Sequence, residues 1–236
     1  TNGVNLTSAT VIKGIQIAGP QGNGVDICTF LAVTPIITVD HFVVTTSVAS
    51  TNVGDAFEVT ITAQDSANQT VSSGVLVISV AAAGSLMEFD WNSDGTYGDT
   101  SGTLVAGVKT IKARDKKAET TTITAAGGGG TTTSPPSVTI NPGAFTKLQI
   151  LAPGETAAPV TATGKTGTPS IQAIYVGFDV TVNAVDQYWN VVDTASDTVA
   201  ISSTDGGATL PANAPQGWFV TATATRRSVL RRRTRT

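Results

Sequence analysis

Cysteine is almost missing from this chain. Cys28 is the only one among 236 residues, so no disulfide can form within it and stability has to come from core burial. Histidine is as scarce: any histidine-based triad or imidazole metal site would have to be built on His41 alone. Aromatic residues make up 6% and charged residues 13% of the chain, which leaves too little clustered acid, base and nucleophile to suggest an enzyme. No apolar run approaches the roughly 20 residues that span a bilayer as a helix. No window carries a sustained helical stripe either. The nearest, "VKTIKARDKKAET" at 108–120, spaces its apolar residues too thinly for a core-facing helix. The chain opens on Thr1 without a signal-peptide pattern and reads as an internal piece of a longer protein.

What it holds in plenty is Thr, Val and Ala, with 24 Gly. The β-branched residues favour strands, and scattered Gly, Asn, Asp and Pro supply turns. The fold class this implies is all-β. The clearest strand is "AFEVTITAQD" at 56–65, where Phe57, Val59, Ile61 and Ala63 alternate with polar residues at the period of two of a half-buried strand. The wording returns at 177–186 as "GFDVTVNAVD", with Phe178, Val180, Val182 and Ala184 on the repeated face. Each copy ends in Asp (Asp65, Asp186) followed by a turn containing Asn. Opening strands "HFVVTT" at 41–46 and "FTKLQI" at 145–150 precede the two copies. The repeat length, about 100 residues, suits tandem immunoglobulin-like β-sandwiches.

This frame divides the chain into 1–39, a β segment read as the end of a preceding domain; 40–141, one sandwich; 142–225, a second sandwich that is truncated; and 226–236, an Arg-rich tail. Gly127 to Gly130 become the hairpin loop before a last strand "SVTIN" at 137–141, since a sandwich without that strand would expose an edge. The junction is then the short "NPG" at 141–143. The insertion "APGETAAPVTATGKTGTPSIQ" at 152–172 is expected to be an exposed loop with little regular structure. Six of the seven Arg lie in the last eleven residues, and removing them from the net charge of −3 leaves −9 for the body. The repeat pattern stops at the same place, so the tail is read as disordered or non-native rather than as an anion-binding arm.

The segments "DHFVVTT", "AFEVTITAQDSANQTV", "FDWNSDGTYGDTSGTL" and "FTKLQILAPGETAAP" resemble tandem bacterial immunoglobulin-like repeats, which occur in very long surface proteins and adhesins. The resemblance covers about Asp40 to Ala214. It implies a structural or adhesive role, in a protein where most repeats are stalk and some modules bind.

One stretch carries a candidate site. In "DWNSDGTYGDTS", Asp90, Asn92 and Asp94 fall at positions 1, 3 and 5 of a calcium loop, Gly95 at the sharp turn and the Thr96 carbonyl at position 7. Ser101 stands where the bidentate Glu belongs, and Asp99 could substitute only in a loop of another shape. The competing reading is an Asx-rich turn whose side chains bond their own backbone, and it is the favoured one. The cofactor expectation is therefore none, or weakly bound calcium. Of the tryptophans Trp91, Trp189 and Trp218, Trp189 beside Tyr188 is the best candidate for a glycan contact, but the favoured reading is that both pack over the end of a core. Cys28, in "DICTFLAV", suits a small buried residue, and the Gly quartet lacks the Lys-Ser or Lys-Thr of a phosphate loop.

The expectation is a non-enzymatic structural or adhesive module of a long bacterial surface or secreted protein. Its partners would be neighbouring repeats and a glycan or protein, with no specific nucleic acid and no transmembrane segment. Its location would be extracellular or at the cell surface. The alternative is a carbohydrate-binding accessory module of a secreted hydrolase.

Overall fold

A computed structural model describes residues 38–72, 75–83, 86–196, 198–210, 214–215 and 219–223. The expectations for the segment before Thr38, for the Arg-rich end, for Cys28 and for Trp218 lie outside these residues. Every element among them is a strand, and none contains a helix long and apolar enough to cross a membrane.

The first ten strands are β1 (His41–Thr46), β2 (Ser50–Asn52), β3 (Phe57–Gln64), β4 (Val75–Ala82), β5 (Glu88–Asp90), β6 (Ser101–Val105), β7 (Val108–Arg114), β8 (Glu119–Gly127), β9 (Gly130–Thr132) and β10 (Ser137–Asn141). They pair in the order β2-β10-β8-β4-β6-β7-β3-β1-β9, with β5 on β7 and β9 also on β8. The last contact joins β9 to β8 and closes the seven strands β8-β4-β6-β7-β3-β1-β9 around one core, with β10 and β2 continuing the path from β8. Period two explains the burial: β3 points Phe57, Val59, Ile61 and Ala63 inward, each at most 4% exposed, and β7 adds Ile111 and Ala113. The thinly apolar 108–120 stretch is thus not helix: 108–114 is β7, its inward residues alternating with Thr110 and Lys112 that face solvent, and 115–118 is the loop into β8. The Gly-rich stretch is a tight turn, in which Gly127 pairs with Gly130 and Gly128 and Gly129 take positive φ. Gly102 has a packing reason: a Cβ there would lie 2.2 Å from the Trp91 indole, which closes one end of the core.

The following strands are β11 (Lys147–Leu151), β12 (Glu155–Ala157), β13 (Lys165–Gly167), β14 (Gly177–Val185), β15 (Thr198–Val199), β16 (Ala214–Pro215) and β17 (Phe219–Thr223). They form a sheet β11-β14-β17 and two small ladders, β12-β13 and β15-β16. The β14 residues Val182 and Ala184 are buried like their counterparts Ile61 and Ala63. Leu148 and Ile150 on β11, however, occupy the register positions of Phe42 and Val44 and are 44% and 48% exposed, against 0% and 4%. Among the described residues, this second sheet leaves that face of β11 uncovered. Its 152–172 insertion is also more ordered than its composition suggests: β12 and β13 pair, Lys165 holds Glu155 at 2.7 Å, and Gln149 on β11, 2% exposed, donates its amide to the Gly164 carbonyl. Pro, Gly and Thr mark turns, but composition says nothing of the buried amide that ties those turns to a strand.

One surface cluster carries a pH prediction. Glu88 on β5 lies 2.9 Å from Arg114 and 3.0 Å from Lys116. Partial burial raises its carboxyl, but the bonds and charges of Lys116 and Arg114 outweigh that, and its pKa falls below the usual 4.5. A carboxyl with a lowered native pKa stabilises the fold above the unfolded value and loses that stabilisation as pH falls through the native one. The Tm of the wild type should therefore drop more steeply below pH 4.5 than that of Glu88→Gln, a difference acid-series melting would show. Parallel pH profiles would refute it.

Candidate functional site

Both regions singled out by sequence are turns organised by a buried aspartate. The first follows β14. Asp186 is fully buried. Its Oδ1 accepts from the amides of Tyr188 at 2.8 Å and Asn190 at 3.0 Å, and its Oδ2 accepts from the Gly143 amide at 2.9 Å and the Asn190 side chain at 3.0 Å. Asn190, 2% exposed, then reaches across to the β7–β8 loop. Its Nδ2 donates to the Lys116 carbonyl at 2.9 Å and its Oδ1 accepts from the Ala118 amide at 2.8 Å. One side-chain amide thus matches one carbonyl and one N–H of the other sandwich, as a backbone ladder would. Tyr188 packs against the first core, with its hydroxyl beside Gly54, where a Cβ would sit only 3.3 Å away. The turn is a joint between the two sandwiches.

The aromatic pair proposed for glycan contact is placed by this joint. Tyr188 faces the first core. Trp189, half-buried, takes a left-handed φ of 72°. Lys147 lies 3.6 Å over its ring, and the ring packs so closely on Gly164 that a Cβ there would meet it at 2.2 Å. Neither ring stands free. Sequence reading passed over Asn190, the residue that carries the joint, because a turn Asn is unremarkable until its partners some 70 residues away are known.

The second region is the 90–99 loop after β5. Asp90 is fully buried, and its two oxygens accept from the amides of Asp94 at 3.2 Å and Gly95 at 3.1 Å. Asp94 accepts from the Thr96 amide at 2.6 Å and from Asn92 Nδ2 at 3.0 Å; the Thr96 amide bond is the chief reason its carboxyl sits below the usual range. Asp99 accepts from the Trp91 amide at 2.8 Å. The structure gathers Asp90, Asn92, Asp94, Thr96 and Asp99 into one turn, and their oxygens serve backbone amides and one another. Among the described residues no group of three or more His, Cys, Asp or Glu is placed to hold a metal. These bonds complete a self-bonded Asx turn without an ion, each carboxylate oxygen keeping a further lone pair.

His41 sits at the start of β1, with Nδ1 3.0 Å from Asp40 and Nε2 3.0 Å from Gln64. Both ring nitrogens are engaged by neighbouring side chains.

No protein-family model and no curated protein matches the sequence. Solved structures resemble it distantly. The adhesin FdeC of Escherichia coli is 14% identical at a TM-score of 0.41, with 78% of this chain and 55% of that chain covered. The adhesin InvE of Yersinia pseudotuberculosis is 14% identical at 0.40, with 80% and 53% covered. A glycosyl hydrolase family 2 member from Bacteroides cellulosilyticus is 11% identical at 0.36, with 44% and 14% covered. This chain thus spans about half of each adhesin chain and a seventh of the hydrolase chain. At these scores the likenesses carry no inference, and the architecture rests on the strand pairings above.

Proposed function

We propose that the chain is a non-enzymatic spacer of a bacterial surface or secreted protein, built of tandem immunoglobulin-like sandwiches that meet near residues 141–143 and hold their neighbours at a set angle. The observation that supports this most is the joint. Asn190 is spent on the backbone of the adjoining sandwich, and Asp186 on the linker amide of Gly143. A joint of satisfied, buried bonds limits swing where a flexible linker would not. The low charge and the threonine faces of the strands keep such a spacer soluble without reactive groups. The packing of Tyr188 against the first core and of half-buried Trp189 on Gly164 favours the spacer over a carbohydrate-binding module, which needs exposed coplanar rings.

Antibodies raised against the chain should label intact cells of the source organism. Labelling only after permeabilisation would overturn the surface assignment. A glycan array should show no binding that disappears with Trp189→Ala.

A further inference from the structure

The joint turn has a twin. Asp65 repeats the geometry of Asp186: its Oδ1 accepts from the amides of Ala67 and Gln69, both at 2.9 Å, as Asp186 Oδ1 accepts from Tyr188 and Asn190. The Asp65 amide bonds the Gln69 carbonyl at 3.0 Å, and the Asp186 amide bonds the Asn190 carbonyl at 3.0 Å. Asn68 and Trp189 are the matching left-handed residues, at φ 60° and 72°. Beyond the turns, Val71 bonds Ala63 as Val192 bonds Ala184. The chain also arrives alike at both: the Asp40 amide bonds the Gln64 carbonyl, one residue before Asp65, and the Thr146 amide bonds the Val185 carbonyl, one residue before Asp186.

The twins differ in surroundings. Asp186 and Asn190 are buried against the β7–β8 loop, whereas Ser66, Ala67, Asn68 and Gln69 are exposed. Turn chemistry is therefore the same at the two places, and among the described residues only the Asp186 turn is seated. We propose that the Asp65–Gln69 turn is a second joint surface, shaped to seat on the loop of another sandwich of the same kind that corresponds to β7–β8. That loop would offer one backbone carbonyl and one backbone amide to Gln69, the counterpart of Asn190. The proposal rests on the reading of the chain as tandem units of one kind. It adds which turn of each unit makes the contact and what chemistry receives it: polar, directional and read from the backbone, so tolerant of the partner's side chains.

The test transplants the exposed turn into the occupied joint of the full chain. Changing Gln187→Ser, Tyr188→Ala, Trp189→Asn and Asn190→Gln together writes "DSANQ" in place of "DQYWN". Amide hydrogen exchange at Ala118, whose N–H points at position 190, reports whether the turn is seated; Asn190→Ala defines the open joint. Exchange at Ala118 should stay within about tenfold of wild type for the transplant and rise about a hundredfold for Asn190→Ala. A transplant that exchanges as fast as Asn190→Ala, with β14 amides still protected, would overturn the proposal. Should β14 lose protection, the single change Asn190→Gln asks the same question of the amide alone and is judged by the same two limits. Neither outcome touches the surface assignment, which cell labelling tests separately.

Discussion

Asp186→Ala should cost about 3–5 kcal/mol, the largest loss expected of any single substitution in the second sandwich. Four donors lose their acceptor at once: the amides of Gly143, Tyr188 and Asn190 and the side chain of Asn190. The carboxylate is fully buried, so water does not take its place without opening the joint. For a unit of about 100 residues this lowers Tm by on the order of 15–30 °C. The loss should fall mainly on the second transition in calorimetry, because Asp186 and Asn190 follow β14 and only the Tyr188 ring packs against the first core. Asp65→Ala is the control. It removes the same two turn bonds from a half-buried residue in an exposed turn and should cost about 1 kcal/mol. Equal losses would mean that the turn chemistry, and not its burial in the joint, carries the stabilisation.

Asp90→Ala should cost the first sandwich about 2–4 kcal/mol, and calcium should not matter to the wild type. Asp90 sits at the end of β5, wholly buried beside Trp91 at 8% exposure, and its two oxygens hold the amides of Asp94 and Gly95. Removing them leaves two donors unsatisfied and frees the loop that keeps Trp91 over Gly102. Near-ultraviolet circular dichroism should lose tryptophan signal along with a drop in Tm on the order of 10–20 °C. An ion held by this loop at 100 times its dissociation constant would add about 2.7 kcal/mol. Because the turn's hydrogen bonds are complete without an ion and the position-12 Glu is missing, millimolar calcium should leave Tm unchanged. A calcium-dependent rise that Asp94→Ala abolishes would show the loop rearranging around a metal, contrary to its present hydrogen bonds.

The all-β class and the strand faces could be read from residue order because they follow from local periodicity. Phe57, Val59, Ile61 and Ala63 alternate with polar residues, and in a strand alternate residues must face the same way. The paired turns at Asp65 and Asp186 were visible for the same reason, since an Asp that bonds amides two and four residues on acts within its own segment. Three-dimensional packing settled everything that depends on distant partners. Asn190 and Gln69 stand at equivalent places in equivalent turns, yet one is buried against Lys116 and Ala118 and the other is exposed. Leu148 matches Phe42 in register, yet it is 44% exposed where Phe42 is fully buried. At 90–99 the spacing of Asp, Asn and Gly suits an ion and a self-bonded turn equally. Spacing sets which residues can converge, whereas the direction of each oxygen is set by the amides the folded backbone presents to it.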